Sequence, residues 1–218
     1  MKNKFVIYDK YTKKIKEDIE ISLKRGYNDL GGEAIDSSEV TRCDRRMYYS
    51  MIDFKNVGSR SKAVHESYIV SKWCDILQQG RTVDILDKKF LVADSNFNVC
   101  SVIDIVGRML ETPIVIKIKE INDEDYSSKV AKRPHVIEVM VQMWLSEIND
   151  GFLIYENSLT KEYNVFHILP NASVLNAVKS KLLKLIDSKN MGILPERKYE
   201  TSSANECKEC VFLGRCWS

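Results

Sequence analysis

No stretch of this chain is apolar over the roughly 20 residues that a membrane-spanning helix needs, so no membrane partner is expected. The start, Met1-Lys2-Asn3-Lys4-Phe5, has none of the pattern of a secretory leader. There is no internal repeat and no low-complexity segment. Charge of neither sign is in excess: 33 Lys and Arg face 31 Asp and Glu, a net +2, so any basic surface must be local. What is present, 218 residues of which 44% are hydrophobic, is enough to bury one good core. We therefore expect a single domain with a small appendage.

Six cysteines are present, and four of them carry the most specific pattern in the chain. Cys207, Cys210 and Cys216 form CxxCxxxxxC. Cys43 lies far upstream in Ser38-Glu39-Val40-Thr41-Arg42-Cys43-Asp44-Arg45-Arg46-Met47-Tyr48-Tyr49. In a lysine-rich chain without a leader, this clustering reads as metal ligation in a reducing compartment, hence the cytoplasm, rather than as a disulfide framework. Four thiolates hold either a zinc ion or an iron–sulfur cluster, and Cys43 would make that centre a staple between the two ends of the fold. Cys74 and Cys100 sit in apolar stretches and are expected in the core.

The middle of the chain reads as mixed α/β. Ile15, Ile19 and Leu23 recur at helical spacing over residues 12–24, within an N-terminal helical extension, 1–36, that precedes the main domain, 37–218. Ser38 is the expected N-cap of a helix carrying Cys43 and Tyr48. A further helix over 62–77 carries His65. Strand-like runs follow at 82–92, 99–110 and 113–121, the last two joined at Glu111-Thr112. Pro134 opens a helix through 148, with Val136, Val139, Met140, Met143 and Trp144 as its apolar side, and Gly151 ends it. Residues 152–155 and 163–169 read as strands, and 172–186 as a helix exposing Lys179, Lys181 and Lys184.

Three strands, a helix and a strand, together with the cysteines, resemble the RecB-type, iron–sulfur branch of the PD-(D/E)XK nucleases. That branch includes the small CRISPR-associated exonucleases and the nuclease domain of the eukaryotic replication helicase-nuclease. Ser38, Cys43, Arg45, Tyr48 and Tyr49 match its first cysteine segment, and segment 207–216 its closing CxxCxxxxxC. The resemblance covers roughly 37–217. It implies a restriction-endonuclease-like α/β core, a mixed sheet flanked by helices, and a 4Fe-4S cluster on Cys43, Cys207, Cys210 and Cys216. It further implies a divalent-metal-dependent DNA exonuclease of DNA processing, repair or CRISPR-type adaptation. Its partners would be DNA, single-stranded or with free ends, and the proteins of a DNA-processing complex.

Hydrolysing a phosphodiester calls for Mg or Mn on oxygen ligands, with a lysine to orient water. By the resemblance His65 is the helix histidine, Asp104 the strand aspartate and Lys119 the motif lysine. Ser101 stands where Gly is usual, Lys117 where the metal-binding Glu belongs, and Glu138 and Gln142 where the next helix carries Gln and Tyr. An ammonium in place of a carboxylate repels the cation by several kcal/mol at a few ångströms. Two explanations stand. Either the carboxylate has migrated, so that His65, Asp104 and Glu138 hold the metal beside Lys119, or Lys117 and Glu138 neutralise each other in a pseudo-nuclease kept for binding DNA or a partner. The persistence of His65, Asp104 and Lys119 tips the expectation toward a working deoxyribonuclease.

The residues also read without the family. Asp104 lies inside an apolar run and must be offset by a metal or a lysine, Lys119 being the natural one. Lys117 alternates with Ile116 and Ile118, as on a solvated strand face, and Glu138 and Gln142 suit a helix's polar stripe. Glu120, adjacent to Lys119, should face away. Arg42, Arg45 and Arg46 with Tyr48 offer guanidiniums for phosphates beside an aromatic for stacking, unless the tyrosines pack under the cluster.

Overall fold

The computed structural model describes residues 34–52, 60–81, 83–127 and 129–218, with side chains described from Tyr68 onward in the helix that begins at Arg60. The expected helix over 12–24 lies outside the described residues, and so does the side chain of His65. In chain order the elements are β1 (Ile35–Asp36), a 3₁₀ turn (Ser37–Glu39), α1 (Asp44–Ile52), α2 (Arg60–Gln79), β2 (Asp84–Asp94), β3 (Val99–Met109) and β4 (Thr112–Ile121). The short α3 (Asp123–Ser127), α4 (Arg133–Ser146), β5 (Gly151–Asn157), β6 (Tyr163–Ile168), α5 (Ala172–Asn190), α6 (Asn205–Lys208) and α7 (Leu213–Trp217) complete them. None of the described helices is long and apolar enough to cross a membrane.

Side-chain alternation explains the layers. In β4, Ile114, Ile116 and Ile118 pack with Ile69, Val70 and Trp73 of α2, whereas Val115 and Ile121 pack with Val139 and Met143 of α4. One helix therefore covers each face of the sheet. β3 is the hub, antiparallel to β2 and β4 and parallel to β1, while β4 runs parallel to β5 and β5 antiparallel to β6. This is the expected mixed sheet flanked by helices.

The site follows from a fork between β3 and β4. Their pairing runs from Met109↔Thr112 only to Ile105↔Ile116. Beyond that point β4 continues on β5 through Ile121↔Asn157, and β1 pairs with Val99 and Cys100 of β3. Alternation breaks in β3 at the same place, since Ile103 and Val106 join the α4 layer while Ile105 joins the α2 layer. Asp104 and Lys117 are the next residues on either side of the fork.

α4 lies across one face of the sheet. Pro134 sits in its first turn, and Glu147 ends it with a left-handed φ of 57°. The expected stop, Gly151, instead opens β5. Its lack of a side chain serves packing, because a Cβ there would stand 2.6 Å from Met143 Sδ and 2.7 Å from Val139 Cγ1. Ser38 is not a helix cap either: its N–H and hydroxyl both bond Asp36 Oδ1 in the 3₁₀ turn, and α1 starts at Asp44. Cys74 and Cys100 are buried, as expected. Lys181 is not merely solvated, since it donates to the carbonyls of Val40 and Arg42 and pairs with Asp44. Lys179 lies over the Trp144 ring.

Candidate functional site

Asp104 is 2% exposed. Its Oδ2 accepts the Ile118 N–H at 2.9 Å, a donor left without β3 as its ladder partner once the strands part. The same oxygen faces Lys117 Nζ at 3.2 Å, and Oδ1 accepts from Lys89 Nζ at 2.9 Å. Lys117 Nζ reaches on to Glu138 Oε1 at 3.5 Å, and Glu138 Oε2 pairs with Lys119 Nζ at 2.9 Å. The groups form a chain of alternating charge, Lys89–Asp104–Lys117–Glu138–Lys119. Burial alone would push the Asp104 carboxyl up, but Lys117, Lys89 and the Ile118 N–H outweigh it and hold it below the usual carboxylate range. Lys117 is raised despite its own desolvation, because Asp104 and Glu138 flank it.

The sequence brought four of these five to notice, with different pairings. Asp104 is offset by Lys89 and Lys117, and Lys119 serves Glu138 instead. Lys117 is no solvated strand lysine, and Glu138 and Gln142 are no polar stripe: both of the latter are buried. Gln142 Nε2 donates to Ser101 Oγ at 2.9 Å, and Ser37 Oγ donates to the same oxygen at 2.7 Å. So the unusual residues meet in pairs, Lys117 with Glu138 and Ser101 with Gln142. Glu120 faces away, as expected, and pairs with Lys161. Lys89 went unnoticed, although a signal existed. With Asp94 opposite Val99 at the hairpin turn, counting back places Lys89 between the pairs Phe90↔Ile103 and Lys88↔Ile105, across from Asp104.

As they stand, these groups do not suit a divalent cation. The space between the two carboxylates already holds an ammonium, and three positive groups outnumber two negative ones. Among the described residues, no three His, Cys, Asp or Glu side chains are close enough to grip a single ion.

Beside Glu138 lies a neutral histidine. His135 Nδ1 is 2.7 Å from the Tyr155 hydroxyl, which also accepts the Lys132 N–H at 3.0 Å. Desolvation, then the positive charge of Lys119, pushes His135 down to about 4. An unfolded histidine titrates near pH 6.5, so from about pH 6.5 down to about pH 4 the unfolded chain takes a proton that the folded one refuses. Folding stability should therefore fall with pH across that window and gain nothing from His135 above it. Urea titrations at pH 7.5 and 5 should show a smaller loss for His135→Gln than for the parent, and an equal loss would contradict this placement.

The four motif cysteines meet at one cavity, whose wall also includes Arg45, Arg46, Tyr49, Glu206, Phe212 and Trp217. All six cysteines are free thiols. Desolvation raises the Cys207 thiol, and the neighbouring thiols of Cys43, Cys210 and Cys216 raise it further. Four thiols on one cavity are the donor types of a metal centre, but as they stand among the described residues they are not gathered closely enough to grip a single ion. The clasp around it is polar. Glu206 accepts the Cys43 N–H at 3.0 Å, the Lys198 ammonium at 2.8 Å and the Tyr199 hydroxyl at 2.7 Å. Arg45 donates to the carbonyls of Pro195 and Cys216. Neither Glu206 nor Pro195 carried any signal in the sequence.

This clasp occupies most of the expected nucleic-acid platform. Arg45 is bound within it, Arg46 makes two bonds to Glu39 at 2.6 and 2.9 Å, and Tyr48 is buried. Tyr49 packs on Phe212 under the cysteines. Arg42 alone of the three arginines is exposed.

No family model matches the chain, and no curated protein matches it by sequence. The fold does have solved counterparts. The protein SSO0001 superposes with a TM-score of 0.54 at 16% identity, covering 94% of each chain. An alkaline exonuclease from Laribacter hongkongensis, LHK-Exo, gives 0.57 at 11% identity over 74% of this chain and 90% of its own, and a complex of it with dAMP gives the same score at 12% identity. A phage-related exonuclease from Haemophilus somnus 129PT gives 0.54 at 10% identity over 76% of this chain and 97% of its own. The fork that assembles Asp104, Lys117, Lys119 and Glu138 is thus set in the restriction-endonuclease-like α/β fold of exonucleases.

Proposed function

We propose that this protein is a nuclease-like component of DNA processing that binds DNA near its ends, and that Lys117 stands in for the catalytic cation. One observation carries this reading: the Lys117 ammonium lies between Asp104 and Glu138, at 3.2 and 3.5 Å. A divalent ion needs that position and those oxygens. The exonuclease fold, and the nucleotide held by one structural neighbour, support DNA as the ligand. Phosphodiester hydrolysis is then absent, and the protein acts by holding DNA for partners of a processing complex in a reducing compartment such as the cytoplasm.

Cys43, Cys207, Cys210 and Cys216 hold a 4Fe-4S cluster in this reading, supported by their common cavity and by the RecB-type spacing. A tetrahedral zinc ion is the other centre that four cysteine sulfurs could hold. Held there, the cluster would cross-link the start of α1 to the segment 195–217, with no part in hydrolysis.

A second reading draws on the convergence of Asp104 and Glu138 on one atom. In a working exonuclease, Asp104 and Glu138, with His65 as the resemblance implies, would hold Mn or Mg in place of the Lys117 ammonium, the ion would supply an activated water, and Lys119 would orient it. The two readings separate on end-labelled single- and double-stranded DNA with Mn. The anaerobically purified protein is expected to shift DNA and leave it uncut. Cleavage that disappears in both Asp104→Ala and Glu138→Ala would establish the working enzyme instead.

A further inference from the structure

We propose that the former cation site is an anion site, and that it takes the phosphomonoester at the end of a DNA strand on Lys89 and Lys119. The proposal rests on the DNA-binding reading above and names the group recognised. The two carboxylate side chains are 3% and 4% exposed and Lys117 is 12% exposed, whereas Lys89 keeps 30% and Lys119 keeps 25%. What solvent meets at this site is therefore mainly lysine side chain. An ammonium has three N–H donors. Lys89 has one bond, to Asp104 Oδ1, and Lys119 divides itself between the two oxygens of Glu138 at 2.9 and 3.2 Å. Donors remain for a ligand, and the buried carboxylates hold the lysines in position from behind.

Charge selects among phosphates. Three ammoniums against two carboxylates leave one positive charge in excess. A terminal phosphomonoester carries about −1.5 to −2 near neutral pH, while an internal diester carries only a single negative charge, so ends are favoured over the strand interior. The backbone at Lys89 points the same way. Its φ of 56° is left-handed, within β2, a conformation that disfavours a long L side chain and suits Asn or Gly. Here that conformation carries the most exposed lysine of the site.

Fluorescence anisotropy with one oligonucleotide sequence, ending in a 5′-phosphate, a 3′-phosphate or hydroxyls at both ends, tests this in EDTA at two salt concentrations. A phosphate-ended strand should bind about tenfold tighter than the hydroxyl-ended one, as a charge-assisted contact allows. Lys89→Asn, which suits the left-handed backbone, should cut that preference to about twofold or less, and Lys89→Arg should keep it. Equal binding of all three strands by the parent protein overturns the proposal and leaves the DNA-binding reading standing. A preference that persists in Lys89→Asn places the phosphate elsewhere and overturns it as well. No binding to any strand at low salt overturns both.

Discussion

Lys117→Glu is expected to turn a site that repels divalent ions into one that binds them. The substitution removes the ammonium between Asp104 and Glu138 and adds a third carboxylate at the fork, leaving Lys89 and Lys119 to balance three negative charges. Without metal the variant should be less stable than the parent. Removing one partner of a buried ion pair costs about 3–5 kcal/mol, and here the loss is joined by repulsion between carboxylates. Mn should recover much of it, since a ligand that binds only the folded state at 100 times its Kd adds about 2.7 kcal/mol. Differential scanning fluorimetry should therefore show a Tm that rises steeply with Mn for Lys117→Glu and stays flat for the parent. The same preparation should cut end-labelled DNA in Mn. The double variant Lys117→Glu/Glu138→Gln carries less excess negative charge and should do both with a smaller stability loss. A parent protein stabilised by Mn as strongly as the single variant would show that Lys117 does not stand in the cation's place.

Cys207→Ser is expected to release the clasp between α1 and the segment 195–217. Structural metal centres contribute on the order of 10 kcal/mol of binding free energy to the folds they close, comparable with the whole net stability of a domain, about 5–15 kcal/mol. The bonds that remain, from Glu206 to the Cys43 N–H and from Arg45 to the Pro195 carbonyl, are polar contacts worth about 1–3 kcal/mol each. The anaerobically purified parent should be brown, with broad visible absorbance and about four irons per chain as a 4Fe-4S centre requires. Cys207→Ser should lose the colour and be cut by trypsin first between residues 195 and 206, while the sheet and α4 persist. One zinc and no iron would keep the staple and discard the cluster. Proteolysis that is unchanged with all four cysteines replaced would remove the staple itself.

Much of this architecture was legible in the residues. Alternating isoleucines marked β4, Pro134 marked the start of α4, and the lone acid in the run from Val102 to Val106 marked Asp104 as a group needing partners. The missing parts have physical causes. Glu138 and Gln142 are four residues apart on a helix that is apolar on most other sides, so periodicity could not tell a solvated stripe from a buried one. Arg46 was claimed by an acid seven positions earlier, Glu39, across a turn whose geometry the sequence does not display. Lys89 was within reach by counting register from the β2–β3 turn, but register becomes an argument only once the pairing of the two strands is assumed. Glu206 was hidden for a different reason: its role depends on two chain ends meeting, which no local pattern encodes.

The pairwise meeting of these residues couples their substitutions. Gln142 donates to Ser101, and Lys117 and Glu138 face each other as an ion pair. A chain changed at one of these positions alone would hold a buried amide or a buried charge deprived of its partner. Each such step costs stability by itself and regains it only when the second change arrives. Each residue at the fork is thus held in place by its neighbour, independently of what the site binds.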